Sequence, residues 1–429
     1  MGKREQLAVL FADVVAELSA ARLVRDACAK GALPQPGPGG KLVVLGLGKV
    51  CVEMLDGARE AGADIAEATL ATFALTADAP HRSAHAHERI FVGGHPLPDA
   101  GSLAAGEALL QAAASLGPED AVLLLVSGGG SALAEAPLLE LTLHDLRALN
   151  QALLNSGAPI EELNCIRAHL SRLKGGGAAR VLFNAGVRRS RALVLVDVPH
   201  GGAPAVSSGP FASDKTSWAD ALEIVRRRTI VLPERVRATL EAGLRGERPE
   251  TLKPAEAEAG IEHTVLADMG SPGLVAQRLC ARLDPAAEIS RSPHVVQGSL
   301  EAVALHFEAQ LPRSGPRLTL ASGEVELQVS LGAPAGGRSQ QLALRMARAL
   351  RGRNAAFLAA GTDGRDGPTA AAGALVDGTT WDEALRRGLD PERALERCAA
   401  TPLLEALSST LPARRTGAHS GDLLVLWSE

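Results

Sequence analysis

Ala121-Val-Leu-Leu-Leu-Val126-Ser127-Gly-Gly-Gly-Ser131 is the stretch from which the fold class of this chain can best be predicted. Its first six residues are all aliphatic, which is typical of a strand buried on both faces in a parallel sheet. Glycines follow at once, and glycine lets the backbone turn tightly and approach a ligand closely. Because open α/β sheets bind ligands at the carboxyl ends of their strands, the stretch predicts a buried strand that enters a ligand-binding loop.

The residues of this loop predict an anion as the ligand. Successive glycines can point several backbone N–H groups at one anion, and a helix that begins near Ser131 would add the positive end of its dipole. A tight turn that binds nothing is the alternative. We expect the following residues to bind phosphate or substrate: Ser127, Gly128, Gly129, Gly130 and Ser131.

A second strand, Lys41 to Leu45, enters Gly46-Leu-Gly48-Lys49. The third glycine of a dinucleotide fingerprint would fall at Cys51, and the P-loop spacing is absent. What remains is a lysine at a strand-to-loop junction, where an ammonium can meet phosphate oxygens. The alternative is a solvated surface lysine. Gly46, Gly48 and Lys49 are therefore candidate site residues.

Further polar residues follow along the chain. Asn164 and Arg167 lie on one helical face, a pattern that a plain amphipathic helix would also give. Arg338 stands directly after two glycines, where a guanidinium can clamp phosphate or carboxylate. Asp363 and Asp366 lie in a Gly-rich loop, and two carboxylates at this spacing can hold Mg²⁺ or can form a local Asx turn.

Composition narrows the class of protein. The chain has 429 residues, a formal net charge of −5, 2 % aromatic residues and no tyrosine, which argues against binding of nucleic acid. Its five cysteines are scattered without the spacing of a zinc site or of a disulfide framework. This predicts that the chain is located in the reducing cytoplasm. No apolar run reaches the ~20 residues of a membrane span. We expect a small-molecule substrate, with neither nucleic acid nor membrane as a partner.

The alternation of strand and helix patterns predicts an α/β fold with mostly parallel sheets. At this length two domains are expected. A segment rich in charge and proline, 243–258, predicts their boundary, with one domain over 1–245 and the other over 258–429. In the second domain, 317–321 and 325–330 are interpreted as the two strands of a hairpin.

Together these loops resemble the class II glycerate kinases, the family with a MOFRL C-terminal domain. Each matching stretch is weak alone, but they occur in the family's order along nearly the whole chain. They are Leu45–Lys49, Gly94–Asp99, Ser127–Ala132, Asn164–Gly176, Asp197–Pro199 with Ser208–Pro210, Gly336–Arg338 and Gly361–Thr369.

The resemblance implies a Rossmann-like three-layer N-terminal domain, a smaller α/β C-terminal region with the MOFRL domain at about 316–425, and an active site in the cleft between them. It implies phosphorylation of D-glycerate at the 2-hydroxyl with ATP and Mg²⁺, and leaves a homodimer open. By position, Lys49 and Arg338 look like the family's two active-site cations. Asp197, Asp363 or Asp366 would hold metal or orient the attacking hydroxyl. Lys174 and Gly209 complete the substrate- and phosphate-binding residues that the resemblance implies.

The chain departs from the family pattern at acidic positions. Gly201 and Gly202 stand where the family usually has two aspartates, and Ala370 stands where it usually has one. Two alternatives follow. One is a weakened or non-catalytic paralogue that binds nucleotide or a sugar acid. The other is a hydroxypyruvate reductase, a name sometimes given to members of this family, against which the incomplete dinucleotide fingerprint counts.

Overall fold

The computed structural model describes residues 2–73, 85–198, 200–257, 260–311, 315–327 and 336–429. The chain forms two compact units. The six-stranded unit comprises Ala20–Leu266, and the seven-stranded unit comprises Met1–Ser19 together with Ala267–Glu429. The predicted α/β class is confirmed. The bounds of these units differ from those of the predicted domains, because the first 19 residues belong with the C-terminal part of the chain.

The strands are distributed along the whole chain. They are β1 (Leu42–Leu47), β2 (Ile65–Thr72), β3 (Glu88–Val92), β4 (Ala121–Val126), β5 (Arg189–Leu195), β6 (Glu262–Ala267), β7 (Glu288–Arg291), β8 (Val296–Ser299), β9 (Arg317–Glu326), β10 (Ala355–Gly361), β11 (Ala371–Asp377), β12 (Thr410–Pro412) and β13 (Asp422–Ser428).

The α-helices separate most of these strands. They are α1 (Lys3–Glu17), α2 (Ala20–Ala27), α3 (Cys51–Glu60), α4 (Ala100–Ala114), α5 (Gly130–Leu133), α6 (Leu143–Asn155), α7 (Ile160–His169), α8 (Gly177–Asn184), α9 (Trp218–Arg227), α10 (Glu234–Leu244), α11 (Ser271–Cys280), α12 (Leu300–Glu308), α13 (Arg338–Leu350), α14 (Thr380–Arg386), α15 (Pro391–Glu396) and α16 (Ala400–Ala406).

The first sheet has the strand order β3-β2-β1-β4-β5-β6, and the pairings among β1 to β5 are parallel. Its two central strands, β1 and β4, are buried along their entire length, as their sequences without polar side chains predict. Leu45 of β1 pairs with Leu124 of β4, and both lie in a core formed with side chains of α4 and α8. The strand that the sequence places at Ala121–Val126 is confirmed with the same bounds.

The second sheet has the order β12-β11-β10-β13-β9-β7, with β8 also paired to β9. Its central pairings, from β12 to β9, are antiparallel, so the prediction of mostly parallel sheets is wrong for this unit. The predicted hairpin is also wrong. The apparent turn at Ser322-Gly323 continues a single strand, because both residues pair with β13. Residues 328–330 of that prediction lie outside the described ranges.

Helix α1 packs on the seven-stranded unit, against α11 and strands β10, β11 and β13. Its apolar side, which includes Leu7 and Leu10, is buried. At its start, Lys3 Nζ lies 2.9 Å from a carboxylate oxygen of Glu429 and donates to Asn354 Oδ1 at 2.8 Å. Ion pairs that are partly open to solvent add little stability, so the apolar side contributes most to holding this helix in place.

Truncation of Leu10 is expected to destabilise the seven-stranded unit. Leu10 is 1 % exposed, so Leu10→Ala leaves a cavity that costs about 2–5 kcal/mol. Hydrogen exchange should accelerate at the amides of β10 and β13. The control is Val9→Ala on the same helix, where the side chain is 46 % exposed and the change should stay within about 0.5 kcal/mol. Faster exchange confined to the six-stranded unit would contradict this placement of α1.

Among the residues that the structure describes, none of the helices combines the length and the apolar character that a membrane crossing requires.

Candidate active site

The candidate site lies at the carboxyl ends of β1 and β4. The chain places β2 and β3 on one side of β1, and then β4 and β5 on the other side, so the strand order reverses between β1 and β4. Ligands of open α/β sheets bind at such a switch point. The two Gly-rich loops that the sequence singles out are the loops that leave these two strands.

Backbone hydrogen bonds join the two loops directly. Ser127 donates its N–H to the carbonyl of Leu47, and Lys49 donates its N–H to the carbonyl of Gly128, both at 3.0 Å. Gly48 has a φ of +124°, and a β-carbon there would lie 2.4 Å from the carbonyl oxygen of Ser127. Glycine is therefore required at this position, because the loops approach more closely than any side chain permits.

The glycine loop, Ser127–Ser131, brings the predicted cation and a carboxylate to its surface. A β-carbon on Gly129 would lie 3.1 Å from Cγ and 3.2 Å from Cε of Lys49, so this side chain lies along the loop. A β-carbon on Gly128 would lie 1.6 Å from Oδ2 of Asp197. Within the described ranges, the N–H groups of Gly128 and Gly129 donate to no backbone carbonyl. The loop thus combines available amide donors, one ammonium and one carboxylate.

Gly46 and Gly130 lie beneath this surface, where they allow close packing. A β-carbon on Gly46 would meet Leu70 Cδ2 at 2.6 Å, and one on Gly130 would meet Ser207 Oγ at 2.2 Å. Both glycines are buried, so their role is to let β2 and the loop around Ser207 approach. This placement favours a structural role for the two predicted residues.

His95, in the matching stretch Gly94–Asp99, is a further neighbour of the glycine loop and is not among the candidate residues of the sequence analysis. It follows β3, and its Cδ2 would lie 3.5 Å from a β-carbon on Gly129, on the same side as Lys49. Its position soon after a strand could have identified it, because the carboxyl ends of parallel strands lie at the same edge of the sheet. Its ring contacts Phe73 in a T-shaped arrangement with a centroid distance of 5.8 Å.

Ser131, Asn164 and Gly209 come together around Ser208. The Oγ atoms of Ser131 and Ser208 are 2.7 Å apart, and Ser208 donates to Asn164 Oδ1 at 2.8 Å. Gly209 follows with a φ of +62°, and its carbonyl accepts the N–H of Gly176 at 2.8 Å. Three predicted residues, far apart in sequence, therefore share one hydrogen-bonded region beside the glycine loop.

Lys174 and Arg167 have different surroundings. Lys174 is 2 % exposed, and its ammonium is paired with the buried carboxylate of Glu135. Burial lowers the pKa of Lys174, and the attraction of Glu135 opposes this only in part. Arg167 donates to Asn150 Oδ1 at 3.0 Å. This placement favours a structural role for Lys174 over the predicted contact with phosphate.

In the seven-stranded unit, Arg338 begins α13 and is held by two carboxylates. Its Nε and Nη2 donate to the two oxygens of Asp422 at 2.9 and 3.2 Å, and its Nη1 pairs with Glu324. Burial by itself would lower the pKa of Arg338, and these carboxylates more than reverse that effect. Sequence interpretation missed both acidic partners, since neither lies in a motif that contains Arg338.

Asp363 and Asp366 do not form a pair of adjacent free carboxylates. Asp366 is 2 % exposed and accepts the N–H groups of Ser339 and Gln340 at 3.0 and 2.8 Å, so it caps the start of α13. Asp363 accepts the N–H of Arg365 at 3.0 Å, which is the local turn that the sequence left as the alternative. Among the described residues, no group of three or more His, Cys, Asp or Glu side chains could hold a metal ion.

Asp422 is expected to make stability depend on pH. Burial raises the pKa of Asp422 to about 6, although Arg338 opposes the shift. Because the folded pKa exceeds the ordinary value of 3.8, this group stabilises the folded state below that value, and the contribution is lost as the pH rises through about 6. A shift of roughly two units corresponds to about 3 kcal/mol.

Urea denaturation between pH 4 and 7.5 would measure this effect. The free energy of unfolding of the wild type, relative to Asp422→Asn, should fall between the ordinary pKa of 3.8 and about 6 and should level off at higher pH. A difference between the two proteins that is constant with pH would contradict the assignment of this titration to Asp422.

The chain matches two family models and several proteins over most of its length. A family described as a domain of unknown function matches residues 6–241, and the MOFRL family matches residues 317–422. The D-glycerate 2-kinase of Thermotoga maritima is 35 % identical over 78 % of this chain and 79 % of its own length. The glycerate 2-kinase of Pyrococcus horikoshii is 32 % identical over 79 % of this chain and 77 % of its own length.

A protein of Agrobacterium vitis, whose name assigns it provisionally as a hydroxypyruvate reductase, is 36 % identical over 83 % of this chain and 80 % of its own length. Two crystal structures are similar over 99 % of this chain. The glycerate kinase of Thermotoga maritima has a TM-score of 0.84 at 29 % identity over 99 % of its own chain, and a protein of Pyrococcus horikoshii has 0.78 at 27 % over 98 % of its own. These similarities confirm the resemblance that the loops indicate, and the chain belongs to the glycerate kinase family with a MOFRL C-terminal domain.

Proposed function

We propose that this chain is a kinase that transfers the γ-phosphoryl group of ATP, with Mg²⁺, to the 2-hydroxyl of D-glycerate. The observation that carries the proposal is the position of Lys49 along Gly129, beside amide groups that donate to no backbone carbonyl within the described ranges. In phosphoryl transfer the protein acts mainly by positioning the reactants and by stabilising charge on the transferred group. An ammonium and several amide donors on one loop are suited to both tasks.

The residues beside the glycine loop fit a magnesium ion that arrives with the nucleotide. Mg²⁺ keeps several waters and usually takes one or two protein carboxylates together with substrate phosphates, so it needs no cage of protein ligands. Asp197 offers one carboxylate against Gly128. Both oxygens of Asp366 already accept N–H groups, which counts against Asp366 as a ligand of this ion. The ion would neutralise charge on the phosphate oxygens.

Arg338 is the second cation that we propose for the reaction. Its clamp by Asp422 and Glu324 fixes the guanidinium at the start of α13 and leaves its side chain 34 % exposed. In this role Arg338 stabilises negative charge on the substrates, and the two carboxylates hold its orientation. A planar guanidinium is suited to this because it meets phosphate or carboxylate oxygens with two parallel N–H groups.

A second candidate is a paralogue that binds its ligands with little turnover. The observation that favours it is the pair Gly201-Gly202, which is exposed and has φ values of 83° and 59° where the family usually has aspartates. Pro199, in the same matching stretch, lies outside the described residues. Loss of two acidic side chains near Asp197 would remove groups that could bind metal or accept a proton. It leaves the glycine loop and Lys49 intact.

Hydroxypyruvate reduction is the third candidate, favoured by the name of the relative from Agrobacterium vitis. The structure has features that count against a dinucleotide site. Cys51 stands at the third glycine position of the fingerprint, and its buried thiol donates to the carbonyl of Ala71 at 3.3 Å. Strand β2 ends at Thr72, where ribose recognition calls for an acidic residue.

One panel of assays separates the three candidates. The purified chain is given ATP, Mg²⁺ and, in turn, D-glycerate and related hydroxy acids, and ADP release is followed by a coupled assay. A parallel cuvette holds hydroxypyruvate with NADH or NADPH. Release of ADP that depends on D-glycerate is the expected result. Calorimetric binding without ADP release supports the second candidate, and oxidation of the reduced cofactor supports the third.

A further inference from the structure

A line of three polar side chains runs away from the glycine loop, and its hydrogen bonds can have only one direction. Asn164 Nδ2 donates to the carbonyl oxygen of Ala205 at 3.2 Å, and this fixes the amide with its Oδ1 toward Ser208. An amide oxygen only accepts, so Ser208 donates to it, at 2.8 Å. Ser208 has one hydroxyl hydrogen. The 2.7 Å contact between the two serine oxygens must therefore be donated by Ser131.

The Ser131 hydroxyl can therefore act only as a hydrogen-bond acceptor toward a ligand. Its hydroxyl hydrogen points toward Ser208, so its remaining capacity is to accept. Ser131 is half-buried, so a ligand bound at the glycine loop can reach it. An anion has no hydrogen to donate and is disfavoured at this oxygen. A hydroxyl group is the ligand group that matches it.

The backbone that carries Ser208 is held in a strained conformation. Ser207, Ser208 and Gly209 have successive φ values of 56°, 61° and 62°, a left-handed run that serine adopts rarely. Such strain persists only where the surroundings enforce it, and it is common at functional sites. Here the carbonyl of Ser208 accepts the N–H of Gly175 at 3.0 Å, and Ser207 Oγ donates to the carbonyl of Ser127 at 2.8 Å.

We infer that Ser131 accepts a hydrogen bond from a hydroxyl of the acceptor substrate, and that Ser208 and Asn164 are positioning residues that fix its polarity. The loop then attracts two different chemical groups. The amides of Gly128 and Gly129, with Lys49, attract an anion, and Ser131 two residues later attracts a hydroxyl. In the proposed reaction the anion is the transferring phosphoryl group, and a hydroxyl held by Ser131 lies on the same loop. The inference rests on the proposed function, since it assigns one part of that same site.

Binding of three acids to the full chain, measured by calorimetry without nucleotide, tests this inference. The acids are D-glycerate, D-lactate, which lacks the 3-hydroxyl, and 3-hydroxypropionate, which lacks the 2-hydroxyl. Ser131→Ala should weaken D-glycerate about fivefold, as expected for one hydrogen bond between neutral groups. The same substitution should leave the affinity for one of the two deoxy acids unchanged, namely the acid that lacks the recognised hydroxyl.

Three further variants test the direction of the hydrogen bond, the specificity of the effect and the role of side-chain shape. Ser208→Ala removes the acceptor of the Ser131 hydrogen and should reduce the discrimination between D-glycerate and that deoxy acid. Ser115→Ala is the matched control, since Ser115 is exposed and donates only to the carbonyl of Ala112 at 2.9 Å in its own helix turn. Thermal unfolding of each variant shows that it is folded, and Ser131→Cys, which keeps the shape with a weak acceptor, should behave like Ser131→Ala.

Equal weakening of all three acids by Ser131→Ala, or no weakening of any, would overturn the inference. Failure of the wild type to bind any of the acids would overturn it too. If the wild type binds them and releases no ADP, the proposed function fails while the assignment of Ser131 stands.

Discussion

Replacing Lys49 with alanine is expected to lower kcat/KM for phosphorylation of D-glycerate at least tenfold, equivalent to about 1.4 kcal/mol or more of transition-state stabilisation. Lys49 is the cation that lies along the glycine loop, and in the proposed reaction it stabilises negative charge on the transferred phosphoryl group. Its backbone N–H bond to Gly128 does not depend on the side chain, so the junction of the two loops should survive the substitution. Steady-state kinetics with ATP and D-glycerate varied in turn measure the effect.

The matched control is Lys41→Ala, at the opposite end of the same strand region. The ammonium of Lys41 lies 2.6 Å from Glu67 and is away from the carboxyl ends of the strands. Its removal should leave kcat/KM unchanged. Equal kinetics of Lys49→Ala and wild type would show that the cation assignment is incorrect, even if the chain proves to be a kinase.

Replacing Glu135 with alanine is expected to have the largest effect on stability, about 3–5 kcal/mol. Glu135 is 3 % exposed and is paired with Lys174, which is 2 % exposed, so the variant leaves an ammonium buried without its counter-ion. Glu135 also accepts the hydroxyl of Ser171 at 2.7 Å, a bond that is lost as well. Chemical denaturation followed by circular dichroism measures the difference.

The pH dependence of this loss has a definite sign. Burial already lowers the pKa of Lys174, and removal of Glu135 lowers it further. The variant's folded state then prefers a neutral amine, whereas the unfolded chain binds a proton, so destabilisation grows as the pH falls. The double variant Glu135→Leu, Lys174→Met removes both charges and should recover much of the lost stability.

The control for this pair is Glu67→Ala, which removes the partner of an exposed ion pair and should cost less than about 1 kcal/mol. A loss of similar size in Glu135→Ala would show that Lys174 is not held as a buried charge.

The six-stranded sheet could be predicted from sequence because its strands are locally distinctive. An aliphatic run such as Ala121–Val126, followed at once by glycines, is typical of a strand buried on both faces. The seven-stranded unit could not be predicted in this way. The pairing of Ser322 and Gly323 with β13 depends on residues 101 and 99 positions later, and these strand pairings override the local turn preference. The position of α1 depends likewise on strands near the end of the chain.

The same distinction applies to the candidate site, where residues next to recognisable strands could be predicted and the contacts of others could not. Lys49 and the glycine loop follow strands that can be recognised locally, and parallel strands bring their carboxyl ends to one edge. The surroundings of Lys174 and Asp366 depend on partners that are remote in sequence. Glu135 lies 39 residues from Lys174, and Asp366 caps a helix that begins 28 residues earlier at Arg338. A charged residue in a motif indicates a candidate site. Its hydrogen bonds in the folded structure determine whether the side chain can contact a ligand.

The central claim is that this chain transfers phosphate to the 2-hydroxyl of D-glycerate at the glycine loop. Phosphorus NMR of the purified chain with ATP, Mg²⁺ and D-glycerate tests it most directly, with Lys49→Ala as the comparison. We expect a growing phosphate-monoester signal that is coupled to the single proton on C2 and is strongly reduced in Lys49→Ala. A monoester signal coupled to the two protons on C3, or no monoester signal at all, would contradict it.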